Sequence, residues 1–140
     1  MFNASGGFLL YTEAMHIILA DHRPKIRFAL CALLEQQPEF SIISQAASAS
    51  ELVTVAKTAC PDLFILDWEL QEENVASLVS GLRQLCPHGT VIILGSRPEW
   101  GEAALNAGAD AFISKGDSPE KLLALIKLTM EETCRKQNQA

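Results

Sequence analysis

The sequence predicts one α/β domain built on a doubly wound sheet of five parallel strands. Three observations carry this. Short runs of apolar, mostly branched residues recur along the chain, as strands buried on both faces require. Between successive runs lie stretches whose apolar residues return every three or four positions, the spacing of one buried helix face. And 140 residues suit one domain with one substantial core. Strands alternating with helices imply βαβ units, whose crossovers cover both faces of a parallel sheet.

Residues 1–14, with the stretch Asn3-Ala-Ser-Gly-Gly7, read as a flexible tail before a domain over 15–132. The first strand is His16-Ile-Ile-Leu-Ala20. Pro24 suits the first turn of the helix that follows, where Ile26, Leu30, Leu33 and Leu34 mark the buried face. A second strand covers Phe40 to Ser44, and Ser48 or Ser50 caps a helix that turns Leu52, Val53, Ala56 and Ala59 inward. The third strand, Leu63-Phe-Ile-Leu66, is wholly apolar and runs straight into Asp67. A helix from about Glu73 to Cys86 buries Val75, Leu78, Val79, Leu82 and Leu85, and Pro87-His-Gly89 stops it. Val91-Ile-Ile-Leu94 is the fourth strand, Pro98 to Ala107 a short helix, and Ala111-Phe-Ile113 the fifth strand. Asp117 or Ser118 caps a last helix that starts at Pro119 and buries Leu122, Leu125, Ile126 and Met130. Residues 133–140 read as a C-terminal tail or the start of a linker.

Composition narrows the function. A net charge of -6 and a pI near 5.0 carry no electrostatic footprint for nucleic acid, and Arg23, Lys25 and Arg27 read as a solvated helix start. No apolar run approaches the length of a membrane span, and Phe8-Leu-Leu-Tyr11 is too short for a signal-peptide core, which predicts a cytoplasmic protein without membrane contact. Cys31, Cys60, Cys86 and Cys134 follow no metal-binding or CxxC spacing and are expected to be reduced, mostly structural thiols.

In a doubly wound sheet, function gathers at the carboxyl ends of the strands. The residues leaving the strands are therefore the candidates: Asp21 and His22, then Asp67, then Gly95 and Ser96, then Lys115.

These positions carry a resemblance. Ile17-Ile-Leu-Ala-Asp-His-Arg-Pro-Lys-Ile-Arg27, Pro61-Asp-Leu-Phe-Ile-Leu-Asp-Trp68 and Gly108-Ala-Asp-Ala-Phe-Ile-Ser-Lys-Gly-Asp-Ser-Pro-Glu-Lys-Leu122 resemble the receiver domain of response regulators, particularly the class that precedes a DNA-binding helix-turn-helix. The resemblance implies a flavodoxin-like (βα)5 fold with strand order 2-1-3-4-5. It implies a switch rather than an enzyme: Asp67 accepts a phosphoryl group from a histidine kinase, with Mg²⁺ held by Asp21, Asp67 and Glu69. Lys115 matches the lysine that pairs with the phosphoryl group, and Phe112 the aromatic that reorients. The signal then passes to a downstream protein partner, with a homodimer through the last helices as a further expectation.

Three positions depart from the family pattern. His22 stands where a second acid is usual; Mg²⁺ prefers hard oxygen ligands, so weak metal binding is expected. Gly95 stands where a hydroxyl is usual, leaving Ser96, one residue later, to report phosphorylation. The loop after Asp67 carries Glu69, Glu72 and Glu73, which raise the cost of a dianionic group. A pseudo-receiver, keeping the fold as a phosphorylation-independent protein-interaction module, is the alternative.

Overall fold

The structure is a computed structural model that describes residues 14–70 and 74–139, with side chains through 135. The expected tail over 1–14 lies outside the described residues except for Ala14, as do Glu72 and Glu73. Five parallel strands, β1 (Met15–Ala20), β2 (Phe40–Ala46), β3 (Leu63–Asp67), β4 (Thr90–Gly95) and β5 (Ala111–Ser114), form one sheet in the order β2-β1-β3-β4-β5. Five helices connect and follow them: α1 (Pro24–Glu35), α2 (Ala49–Thr58), α3 (Val75–Leu85), α4 (Gly101–Asn106) and α5 (Pro119–Gln139). This is the predicted doubly wound fold in the predicted order.

Successive side chains of a strand point to opposite faces, so each central strand feeds two cores. Ile17, Leu19, Leu63, Ile65, Ile92 and Leu94 pack with Leu34 of α1 and Leu122 and Ile126 of α5. Ile18, Ala20, Phe64, Leu66, Val91 and Ile93 pack with Leu52 of α2 and Leu78, Val79 and Leu82 of α3. The central strands β3 and β4 are buried at every position, whereas the edge strand β2 carries a register shift that leaves Ile43 unpaired and exposed.

The helix ends follow the capping chemistry. Ser48 accepts from the Glu51 N–H, Asn74 from the Ser77 N–H, and Ser118 from the Lys121 N–H. Gly108, at φ 109°, takes the left-handed turn after α4 that a side chain resists.

Four expectations need correction. The segment from Pro98 begins as a 3₁₀ turn over Pro98–Trp100 and becomes α-helical only from Gly101. Ala59 and Leu85, expected inward, are exposed: Ala59 is the C-cap just past α2 and Leu85 the last residue of α3. The last helix continues to Gln139 through residues expected as a tail; no Gly or Pro interrupts it, and Thr129 and Thr133 bond back to Leu125 and Thr129 carbonyls. Finally, Cys60 and Cys86 form a disulfide. Cys60 lies just past α2 and Cys86 caps α3, and the packing of those two helices brings their Cα atoms to 5.5 Å across 26 residues of sequence. Cys31, outside that bond, is buried, and burial pushes its thiol up.

Candidate functional site

The carboxyl ends of β1, β3 and β5 deliver Asp21, Asp67 and Lys115 to one point. The sheet register sets this: Ala20 pairs with Leu66 and Asp67 with Leu94, so Asp21, just past β1, and Asp67, the last residue of β3, emerge side by side. Asp21 and Asp67 are the buried acids of the described residues, at 1% and 5% exposure. Unpaired, two such carboxylates would repel at a cost that burial magnifies. Lys115 bridges them, its Nζ 3.0 Å from Asp21 Oδ2 and 2.9 Å from Asp67 Oδ1.

Two further side chains, His22 and Arg23, enter from the loop after β1. His22 Nδ1 donates to Asp67 Oδ2 at 2.9 Å. Asp21 Oδ1 accepts the Arg23 backbone N–H at 2.9 Å, a local turn of the kind Asp favours. That turn folds the Arg23 side chain back over the strand ends, with Nε 3.6 Å from Asp21 Oδ1 and Nη2 3.9 Å from Asp67 Oδ1. Arg27, one turn into α1, donates to the Asp21 carbonyl at 2.8 Å. Arg23 and Arg27 thus serve the site and are not simply the solvated helix start that composition suggests.

Asp21, His22 and Asp67 each offer a ligand atom within 4.8 Å of the others, close enough to hold one metal ion. Glu69 is exposed on the 3₁₀ turn Trp68–Leu70 and is not in that group. Its backbone carbonyl is the donor its position leaves. Ser96 is exposed at the bend past β4, and among the described residues no hydrogen bond joins it to Asp67.

Gly95, the last residue of β4, lies against an aromatic ring. A Cβ on Gly95 would stand 2.8 Å from two ring carbons of Phe112 and 3.1 Å from Trp100; one on Gly101 would stand 3.2 Å from Phe112. Trp100 stacks on Trp68 at 6.2 Å between centroids, so the residue next to Asp67 is tied to the segment that opens α4. Sequence reasoning missed Trp100, and missed the role of Arg23. The glycine at 95 was the signal for the first, since it marks a close approach.

The family model of the response regulator receiver domain matches residues 17–127. The nitrate/nitrite response regulator protein NarL of Escherichia coli is 26% identical over 116 residues, 81% of this chain and 54% of that protein. The transcriptional activator protein ExaE of Pseudomonas putida is 30% identical over 115 residues, again 81% and 54%. The chain thus spans about half the length of the curated relatives it matches. Among solved structures, a CheY-like response regulator receiver domain protein of Methanospirillum hungatei superposes with a TM-score of 0.75 at 25% identity, covering 89% of this chain and 99% of that one. A LuxR-family two-component response regulator of Aurantimonas gives 0.76 at 23% identity, covering 86% and 87%, a likeness of fold.

Proposed function

Because the chain belongs to the response regulator receiver domain family of two-component systems, we propose that it is a phosphoacceptor switch whose Asp67 takes a phosphoryl group from a histidine kinase. The observation that carries this reading is the buried Asp67 carboxylate at the end of β3 with Lys115 Nζ at 2.9 Å. An Asp67 oxygen attacks the phosphorus of a phosphohistidine; the P–N bond breaks, its electron pair returns to the imidazole nitrogen, and that nitrogen takes a proton from solvent. Lys115, a point charge on a long stem, follows the oxygens of the acyl phosphate product.

The Mg²⁺ implied by the family fits this donor set poorly. All four carboxylate oxygens of Asp21 and Asp67 already accept from Arg23, Lys115 or His22, and the third ligand is an imidazole rather than a hard oxygen. The step above therefore uses the chain's own groups. The output is a protein contact, made with a downstream partner or a second copy of the chain. In a longer protein like its relatives the signal regulates transcription.

The test is incubation with acetyl phosphate followed by intact mass. The expected result is one added phosphoryl mass on the wild type and none on Asp67→Asn. No adduct on the wild type, with or without a divalent cation, overturns the proposal in favour of a phosphorylation-independent interaction module.

A further inference from the structure

We infer that the Asp67 site works without a metal, because the guanidinium of Arg23 supplies the charge balance there and presents a free edge to the oxygens of a phosphoryl group. The phosphoryl half of this inference rests on the phosphoacceptor reading; the exclusion of a metal does not.

Charge is the first argument. Two buried carboxylates bring two negative charges, and Lys115 and Arg23 bring two positive ones within 3.9 Å. The site is neutral before His22 is counted. A divalent cation entering it meets no net attraction and two fixed cations, one of them, Lys115, only 14% exposed and bonded to both acids.

Coordination is the second. An ion at this point has to share every carboxylate oxygen it takes with a donor that already stands within 3.0 Å of it. His22 does not replace the missing acid: it brings an imidazole nitrogen where Mg²⁺ prefers a hard oxygen, and its Nδ1 already lies 2.9 Å from Asp67 Oδ2.

The unsatisfied edge of Arg23 is the third. Nε and Nη2 are both buried and both lack a hydrogen-bond partner, while the nearest carboxylate oxygens stand 3.6 and 3.9 Å away, beyond hydrogen-bond reach. These two nitrogens form one edge of the planar guanidinium, and their parallel N–H groups match two oxygens of one phosphoryl group. Buried donors without acceptors are costly. Here Nη2 faces Asp67, the carboxylate that would carry the phosphoryl group, and Nε faces the neighbouring Asp21; phosphoryl oxygens on Asp67 would satisfy the edge.

The experiment has two readouts on the whole chain. In the first, Mn²⁺ is titrated into protein and followed by its electron paramagnetic resonance signal. The wild type is expected to leave millimolar Mn²⁺ free, and the double variant His22→Asp/Arg23→Ala to bind it at least about tenfold more tightly. Submillimolar Mn²⁺ binding by the wild type overturns the exclusion of metal. In the second, acetyl phosphate labelling is run in EDTA and in Mg²⁺. The wild type is expected to label equally in both, Arg23→Ala to lose about a hundredfold in rate in EDTA, and Arg23→Lys to recover part of it. Circular dichroism of each variant confirms the fold, and the lysine variant keeps the comparison decisive if alanine unfolds the chain. Labelling that requires Mg²⁺ and ignores Arg23→Ala overturns the role of Arg23 while leaving Asp67 a phosphoacceptor. No label in either buffer overturns the phosphoacceptor reading and the Arg23 contact together, and the Mn²⁺ signal then decides the exclusion of metal alone.

Discussion

Gly95 shows how one missing side chain shapes the active face. With ring carbons of Phe112 2.8 Å from where its Cβ would stand, any larger residue there must push the ring out of its seat between Gly95 and Gly101. Gly95→Thr, which restores the family's usual hydroxyl, is expected to destabilise the domain by about 1–3 kcal/mol, the range for overpacking, measured as a lower urea midpoint. Phe112→Leu in the same background is expected to return part of that loss. The sequence shows Asp21, Asp67 and Lys115 as site residues because each stands at a strand exit, and strand exits converge whatever the side-chain detail. It does not show Arg23 in the same way. The direction of that side chain depends on a turn made by Asp21 one bond at a time, and a basic residue before Pro24 is otherwise an ordinary helix start.

Whole elements were more legible than their ends and cross-links. The five strands and five helices stand where the sequence reading expects them, and the caps Ser48 and Ser118 are among its candidates, whereas Asn74, which caps α3, is not. The disulfide between the end of α2 and the cap of α3 does not follow, because a separation of 26 residues obeys no spacing rule and is set only by how two helices pack. Closing a loop of that length restricts the unfolded chain, so reduction is expected to lower stability by about 3 kcal/mol. Urea unfolding with and without reductant measures it, and alkylation in denaturant counts the thiols: Cys60 and Cys86 should react only after reduction. A weaker tie joins α5 to the turn before β2, where Lys127 Nζ lies 3.1 Å from Glu39 and 2.9 Å from Gln37. Its own backbone N–H, then Lys127, holds the Glu39 carboxyl below the usual glutamate range. A depressed acid stabilises the fold above its unfolded value and loses that contribution as pH falls through the folded one. Glu39→Gln is therefore expected to flatten the acid side of a stability–pH curve slightly and to leave its shape above pH about 6 unchanged.

At the scale of the molecule, the sheet makes the two cores one. Leu34 packs among Ile17, Leu19 and Ile65 on one face, while Leu52 packs with Ile18, Ala20 and Leu66 on the other; the partners alternate along the same strands. Neither face can loosen without disturbing residues that hold the opposite face. Both tryptophans report from the Leu52 side: Trp68 packs against that core and stacks on Trp100. Leu34→Ala, on the far side of the sheet from them and 1% exposed in the wild type, is expected to cost about 2–5 kcal/mol. If the cores are coupled as the register implies, tryptophan fluorescence and far-ultraviolet circular dichroism of this variant will shift to the same lower urea midpoint in a single transition. A fluorescence midpoint left at its wild-type position while the dichroism midpoint falls would show two faces unfolding separately. The active face would then be insulated from the α1 and α5 side. The position of Asp67 at the end of a strand shared by both cores argues for the single transition.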